Sequence, residues 1–118
     1  MNRLAFLIAR SLRQEAVLQR LSVPASAALQ LVAGKSVALV GNARSLAEGR
    51  HGAGIDAADV VIRINRAPMP SPASHGTRTD ILALATSIPR AELDRIRPRR
   101  IWWMSHKRKR LPWSVASS

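Results

Sequence analysis

Two asparagines stand at the ends of two apolar runs in this 118-residue sequence. Asn42 follows the run 36–40 after a single glycine, Gly41, and Asn65 ends the β-branched run 59–65. An asparagine amide offers both a donor and an acceptor, which suits a phosphate or a ribose better than proton transfer. Neighbouring parallel strands end at one edge of a sheet, where ligands bind in α/β folds. The pattern therefore predicts an anion-binding site at this edge.

Each of these polar residues also has a purely structural interpretation. Asn42 is equally suited to cap the helix that follows it, and Asn65 to start a turn. Arg63 interrupts the second run and shares a strand face with Asn65. A buried charge needs a partner, so pairing with a nearby carboxylate is favoured over contact with a ligand. The candidate partners of Arg63 are Asp56, Asp59 and Asp80.

Standard phosphate-loop and metal motifs are absent from the sequence. The segment 41–49, GNARSLAEG, matches neither G-x-G-x-x-G nor G-x-x-x-x-G-K-[ST]. There is no Asp-x-Asp pair of the kind that holds a metal in many nucleotide-sugar transferases. The three histidines have no metal-ligand spacing and are expected in loops: His51, His75 and His106. No metal site is predicted.

The elements that would position these residues alternate between strand and helix, which indicates an α/β domain with a mostly parallel sheet. An N-terminal helical segment (1–34) is expected to precede a partial α/β domain (35–118). Strands are predicted at 36–40, 59–65, 80–85 and 101–105, the last at an open edge with Trp102 or Trp103 exposed. Helices are predicted over 3–21, then after a linker within 22–35 and ending at Gly34, then from 43 until glycines 49, 52 and 54 break it, and after Pro89. Residues 66–79 are expected to form an exposed loop, and 106–118 to finish no element.

The charge balance and the N-terminal helix bear on partners. Nineteen Lys and Arg against seven Asp and Glu give a net charge of +12, which favours an anionic partner. The absence of cysteine fits a reducing compartment, and no secretion signal is expected. Four apolar residues of the helix share one face, which is expected to pack on the domain or to rest on an anionic bilayer: Leu4, Leu7, Ile8 and Leu12. The run HKRKR (106–110) also suggests nucleic acid, but such runs are usually solvated loops.

Three segments in order resemble the large sialylmotif of family 29 glycosyltransferases, the sialyltransferases. They are VALVGNARSL, GAGIDAADVVIRINRAP and HGTRTDI, within residues 36–81. The family motif reads approximately V-V-G-N-S-G-x-L, then I-D-x-x-D-x-V-x-R-x-N-x-A-P, then G-x-(K/R)-T. The resemblance implies a Rossmann-like GT-A variant that uses CMP-sialic acid without a metal. It also implies that Asn42 and Asn65 contact the CMP part of the donor.

The departures from the family motif are informative. Ala43 and Arg44 replace the Ser-Gly after the first asparagine, and Arg44 is expected to supply charge near the phosphate. Val37 stands where animal members carry a disulfide cysteine, in keeping with a cytoplasmic location. The donor-binding residues expected are Gly41, Asn42, Arg44, Ser45 and Asn65.

The later motifs of the family, with the histidine that acts as general base, match nothing after residue 81. The base is therefore expected beyond Ser118, and the chain is expected to be the N-terminal half of such an enzyme and inactive alone. The function expected is transfer of sialic acid, or a related acid sugar, from a CMP-sugar to a glycan acceptor. The alternatives are a small basic nucleic-acid-binding protein and a non-catalytic nucleotide-binding remnant. A nucleic-acid partner is not expected, because the arginines are dispersed along the chain.

Overall fold

The computed structural model of the chain describes residues 2–14, 25–104 and 111–117. In chain order, the described elements are α1 (Arg3–Ser11), α2 (Ala25–Gln30), β1 (Val37–Val40), a 3₁₀ helix (Arg44–Glu48), α3 (Gly52–Asp56), β2 (Val60–Ile64), α4 (Pro72–His75), β3 (Ile81–Leu84), α5 (Arg90–Ile96), β4 (Arg100–Trp103) and α6 (Trp113–Ala116).

The four described strands form one sheet in the order β1-β2-β3-β4, and every pair is parallel. Helical segments connect each strand to the next, as parallel neighbours require. The predicted α/β class and parallel sheet are confirmed. The first three strands lie within one residue of their predicted bounds, while β4 begins one residue before its predicted start and ends two residues before its predicted end. The division of the chain at residues 34 and 35 stays a prediction.

The sheet has two differently covered faces. On the helix face, Leu82 and Leu84 are fully buried against Leu93 and Ile96 of α5. On the opposite face, Ile62 and its neighbours pack against Leu31 and Val32 of the turn after α2. Two side chains of the edge strand β1, Val37 and Leu39, remain exposed on that opposite face.

The two edges of the sheet differ. β1 and β4 are the two edge strands of the sheet. β4 was predicted to be an edge strand, but Trp102 and Trp103 are half-buried rather than exposed. Trp103 packs against two clusters of buried residues, one that includes Leu93 and Ile96 of α5 and one that includes Phe6 and Leu111. Trp102 packs on the opposite face of the sheet. The prediction of an exposed tryptophan was wrong because elements distant in sequence cover this edge.

The connections also differ from the predictions in three places. Gly49 ends the 3₁₀ helix as expected, but Gly52 and Gly54 lie inside α3 instead of breaking a helix. The predicted exposed loop 66–79 contains α4, in which Ser74 and His75 are buried. The tail contains α6, and the basic run 106–110 lies outside the described residues.

The first helix is shorter than predicted and uses a different buried face. The side chain of Asn2 accepts a hydrogen bond from the Ala5 N–H (2.7 Å) and caps α1, which ends at Ser11. The remainder of the predicted helix, 15–21, lies outside the described residues. Phe6 and Ala9 form the buried face, against Leu111 and Trp113.

Three of the four residues predicted to pack on the domain are exposed: Leu4, Ile8 and Leu12. Only Leu7 of that set packs against the core. Within the described ranges, no helix has both the length and the apolar character needed to cross a bilayer.

Candidate functional site

A cleft of about 240 Å³ opens at the carboxyl end of β1. Its floor and walls come from the turn after β1, from the 3₁₀ helix and from the segment before α3. The residues that line it are Gly41, Ala43, Ser45, Leu46 and His51. Two of the predicted donor-binding residues, Gly41 and Ser45, therefore lie in the cleft.

Asn42 ties the end of β1 to the end of β2. Its amide Nδ2 donates a hydrogen bond to the carbonyl oxygen of Ile64, at 3.1 Å. Ala43, not Asn42, occupies the cap position of the 3₁₀ helix, so the capping interpretation of Asn42 was wrong. The side-chain oxygen of Asn42 makes no hydrogen bond to any residue that the structure describes.

Asn65 begins a turn, as its structural interpretation predicted, and it also joins two strand ends. Its backbone has φ +52°, a left-handed conformation that asparagine tolerates better than most residues. Its Oδ1 accepts a hydrogen bond from the Ala85 N–H (3.0 Å), and its own N–H donates to the Ala83 carbonyl (2.9 Å). In the described part of the chain, its Nδ2 makes no hydrogen bond.

The two asparagines are thus neighbours at one edge of the sheet. Asn42 contacts the residue directly before Asn65, and each keeps one side-chain polar atom without a partner among the described residues. An acceptor from Asn42 and a donor from Asn65 are the groups that a ribose or a nucleobase edge requires. The structure brings the predicted pair together, and their role in donor binding stays a prediction.

Gly41 is unnecessary for the fold itself. A Cβ placed on Gly41 would meet no atom within 4 Å, and the backbone there does not have the positive φ that favours glycine. The space in front of Gly41 is open because it belongs to the cleft. The absence of a side chain leaves room for another molecule to approach the backbone.

Arg44 and His51 lie at and next to the cleft in different ways. Arg44 is exposed and does not line the cleft, although it is adjacent to Ala43, which does. His51 lies in the loop before α3, as the sequence predicted, and it also lines the cleft. No motif marks His51 in a single sequence, because its position depends on how the chain folds back after the 3₁₀ helix.

Arg63 lies beneath the segment 75–79 on the helix face of the sheet and is 1% exposed. Its Nε donates to the Arg78 carbonyl (2.9 Å) and to the Thr79 hydroxyl (3.0 Å), and its Nη2 to the His75 carbonyl (2.8 Å). Its Nη1 is buried without a hydrogen-bond partner among the described residues. The predicted ion pair with a carboxylate was wrong, because neutral oxygens surround this guanidinium.

Asp56 and Arg78 form a reciprocal clamp between α3 and the segment before β3. The Asp56 carboxylate accepts hydrogen bonds from the N–H groups of Thr77 (2.9 Å) and Arg78 (3.0 Å) and from the Thr77 hydroxyl (3.0 Å). In return, Arg78 Nη1 donates to the carbonyls of Asp56 (2.6 Å) and Ala58 (2.7 Å). Its Nη2 pairs with Asp80 at 2.8 Å. The clamp fixes the segment whose carbonyls hold Arg63.

Burial and charge set the protonation of this layer. Burial raises the pKa of Asp56, but hydrogen bonds from the Arg78 and Thr77 N–H groups outweigh it, so the pKa is lowered overall. Burial lowers the pKa of Arg63, and Asp56 opposes the shift. Burial also lowers the pKa of His75, and the nearby Arg63 adds to the effect.

The buried histidine belongs to a hydrogen-bonded chain of side chains. Its Nδ1 lies 2.8 Å from the Ser74 hydroxyl, which lies 2.8 Å from the Ser71 hydroxyl. His75 is 2% exposed, so it is not the loop histidine that the sequence suggested. Within the described ranges, no three His, Asp or Glu side chains come together in a way that would hold a metal ion.

Comparison with known proteins gives one match. The family model of glycosyltransferase family 29 (sialyltransferase) matches residues 7–110. No curated protein and no solved structure matches the chain. The match includes β1 to β4, the cleft, both asparagines and the Asp56–Arg78 clamp. The chain therefore belongs to glycosyltransferase family 29, the sialyltransferases.

Proposed function

We propose that the cleft at the carboxyl end of β1 binds the CMP part of a CMP-sugar, with sialic acid or a related acid sugar as the group transferred to a glycan. The observation that carries this proposal is that Asn42, which lies between the cleft-lining Gly41 and Ala43, donates a hydrogen bond to the strand end that Asn65 follows. Family membership supports a nucleotide-sugar donor and a glycan acceptor in general.

Each residue has a distinct role in this proposal. Asn42 Oδ1 and Asn65 Nδ2 contact the ribose or the base, since these atoms have no partner among the described residues. Gly41 lets the phosphate approach the backbone, and the Ser45 hydroxyl donates to a phosphate oxygen. Arg44, exposed next to the cleft, contributes positive charge to the approach of the anion.

Calorimetric titration of the 118-residue chain with CMP tests the donor site. The sharpest variant is Gly41→Ala, because the added methyl group meets no atom of the described residues within 4 Å. We expect it to leave the urea unfolding midpoint unchanged and to weaken CMP binding by about tenfold or more, or about 1.4 kcal/mol. Gly54→Ala is the matched control, since a Cβ there also meets nothing, and Gly54 does not line the cleft.

Two results would contradict this assignment. Gly41→Ala binding CMP as tightly as the unmodified chain would remove the cleft from the donor site. Salt-sensitive binding of duplex DNA together with no response to CMP would favour the nucleic-acid alternative, because phosphate contacts by Lys and Arg weaken steeply with salt.

The proposed reaction needs no metal, as the resemblance to the sialylmotif implies, and CMP affinity should therefore be unchanged by EDTA. We also propose a cytoplasmic location, which the absence of cysteine supports.

The chain by itself is proposed to bind the donor without transferring sugar. The resemblance assigns no residue of this chain as general base, and such a base typically contributes about 10²–10⁴-fold. The assay incubates the chain with CMP-sialic acid and galactose-terminated acceptors. Turnover that Asn42→Ala abolishes would show that the chain contains its own base.

A further inference from the structure

Helix α1 presents an apolar stripe to solvent. Leu4, Ile8 and Leu12 recur every four residues and are 67%, 49% and 64% exposed. The opposite side of the helix, with Phe6 and Ala9, already packs against the rest of the protein. The stripe therefore does not attach α1 to the part of the domain that the structure describes.

Positive charge predominates around this stripe, and the first acidic residue of the chain is Glu15. Residues 1–14 contain three arginines and no Asp or Glu. Arg10 donates to the Leu111 carbonyl (3.1 Å) and lies over the Phe6 ring, whereas Arg3 and Arg13 are exposed. Neither Arg3 nor Arg13 forms an ion pair with any residue that the structure describes.

We propose that α1 is a docking surface for an anionic lipid bilayer, on which it lies parallel to the membrane plane. A helix with an exposed apolar stripe buries it at the headgroup boundary, and Arg3 and Arg13, which adjoin Leu4 and Leu12 in the sequence, would meet anionic headgroups. A second copy of the chain is a poorer occupant, because a symmetric α1–α1 contact would bring the arginines of both copies together. The net charge of +12 favours the same anionic partner.

Co-sedimentation with lipid vesicles tests the proposal. The chain should pellet with vesicles of phosphatidylglycerol and phosphatidylcholine in equal parts and stay in solution with phosphatidylcholine alone. The double variant Leu4→Gln, Leu12→Gln should weaken the anionic-vesicle binding at least about tenfold, since two exposed leucines lose their apolar burial. Arg3→Gln with Arg13→Gln should weaken it about fivefold per arginine.

Leu29→Gln is the matched control for the leucine variant, because Leu29 is 64% exposed on α2. It should leave vesicle binding unchanged. The proposal is overturned if the unmodified chain does not pellet with anionic vesicles or if the α1 leucine variant pellets equally well. A lipid-free dimer that the same leucine variant dissolves would instead assign the stripe to a second copy.

A second inference concerns His51 and rests on the proposed function of the cleft. The imidazole of His51 lies over Gly49, where a Cβ would come within 2.5 Å of Nε2. The ring makes no hydrogen bond to the described residues, although it lines the cleft. Ala43 and Leu46, which also line the cleft, are apolar. Among the described lining residues, the side-chain hydrogen-bond donors are therefore the Ser45 hydroxyl and the His51 imidazole.

We infer that His51 donates a hydrogen bond to a phosphate oxygen of the bound nucleotide, and that Gly49 positions the imidazole by leaving room for it. Hydrogen bonds to an ionised group are stronger than neutral ones. His51→Phe keeps the ring shape without the N–H groups. It should weaken CMP binding by about tenfold or more and leave the weaker binding of cytidine, which has no phosphate, unchanged.

Gly49→Ala provides an independent test without altering the histidine. The new methyl group displaces the flexible ring, so CMP binding should weaken in the unmodified chain but not further in the His51→Phe background. Unchanged CMP affinity in His51→Phe would refute this inference while the proposed function stands, and an equal loss of CMP and cytidine binding would also refute it. An unmodified chain that does not bind CMP would refute both.

Discussion

Replacing Gly52 with alanine probes the contact that attaches α3 to α4. A Cβ on Gly52 would overlap the carbonyl oxygen of Pro72 and come within 2.9 Å of the Ala73 oxygen and the Gly76 nitrogen. All three are backbone atoms of α4 or its end, so they cannot rotate away as a flexible side chain would. The two helices must therefore separate to admit the methyl group.

The cost follows from this geometry. Added volume in a well-packed interior typically costs about 1–3 kcal/mol, and a backbone obstacle places Gly52→Ala near the upper end. For a chain of this size, about 3 kcal/mol corresponds to a fall of about 12 °C in the melting temperature. Separation of α3 and α4 would also strain the Asp56–Arg78 clamp, which begins at the end of α3.

Gly54→Ala, in the same helix, is the matched control. A Cβ there meets nothing within 4 Å, so the greater helix propensity of alanine should make the variant neutral or more stable by up to about 1 kcal/mol. Urea unfolding followed by tryptophan fluorescence measures both variants. If Gly52→Ala unfolds at the same urea concentration as Gly54→Ala, the close contact between α3 and α4 does not exist.

Three further predictions concern the layer beneath the site and the turn at Asn65. The pKa of His75 is lowered in the folded state, so the unfolded state takes up a proton at a higher pH than the folded state does. The free energy of unfolding should therefore fall as the pH drops below about 6.5. His75→Gln should remove this pH dependence, which urea unfolding at about pH 7 and pH 5 measures. The pKa of Asp56 is lowered too, so its contribution to the free energy of unfolding is present above about pH 4 and lost on further acidification. Asp56→Asn should lower the free energy of unfolding by about 1–3 kcal/mol at pH 7 and weaken its dependence on pH below pH 4. Asn65→Gly should unfold at higher urea than Asn65→Ala, because glycine adopts φ +52° without strain while both lose the bond to Ala85; equal stabilities would contradict the left-handed turn.

Local patterns predicted the strands well because each is a short apolar run bounded by polar or glycine residues. Residues 37–40 and 60–64 follow this pattern, and a connection too long for a hairpin already required a parallel pair. The placement of both asparagines at the carboxyl ends of neighbouring strands follows from that arrangement alone. The role of Arg63 was not predictable, because its partners are mainly backbone carbonyls, which every residue carries.

The buried face of α1 shows the limit of periodicity. Four apolar residues share one face, but the helix buries Phe6 and Ala9, because Leu111 and Trp113 come from the other end of the chain. Periodicity identifies an apolar face without identifying what covers it.

The amino-acid sequence by itself determined the four strands, the parallel sheet and the placement of Asn42 and Asn65 at strand ends, because these depend on residues close together in the chain. Only the tertiary structure decided that His51 lines the cleft, that His75 is buried, that Asp56 and Arg78 clamp α3 to the segment before β3, and that Leu4, Ile8 and Leu12 face solvent. Each of these depends on contacts or exposure set by how separate segments pack. A linear pattern contains no information about which distant segments come together.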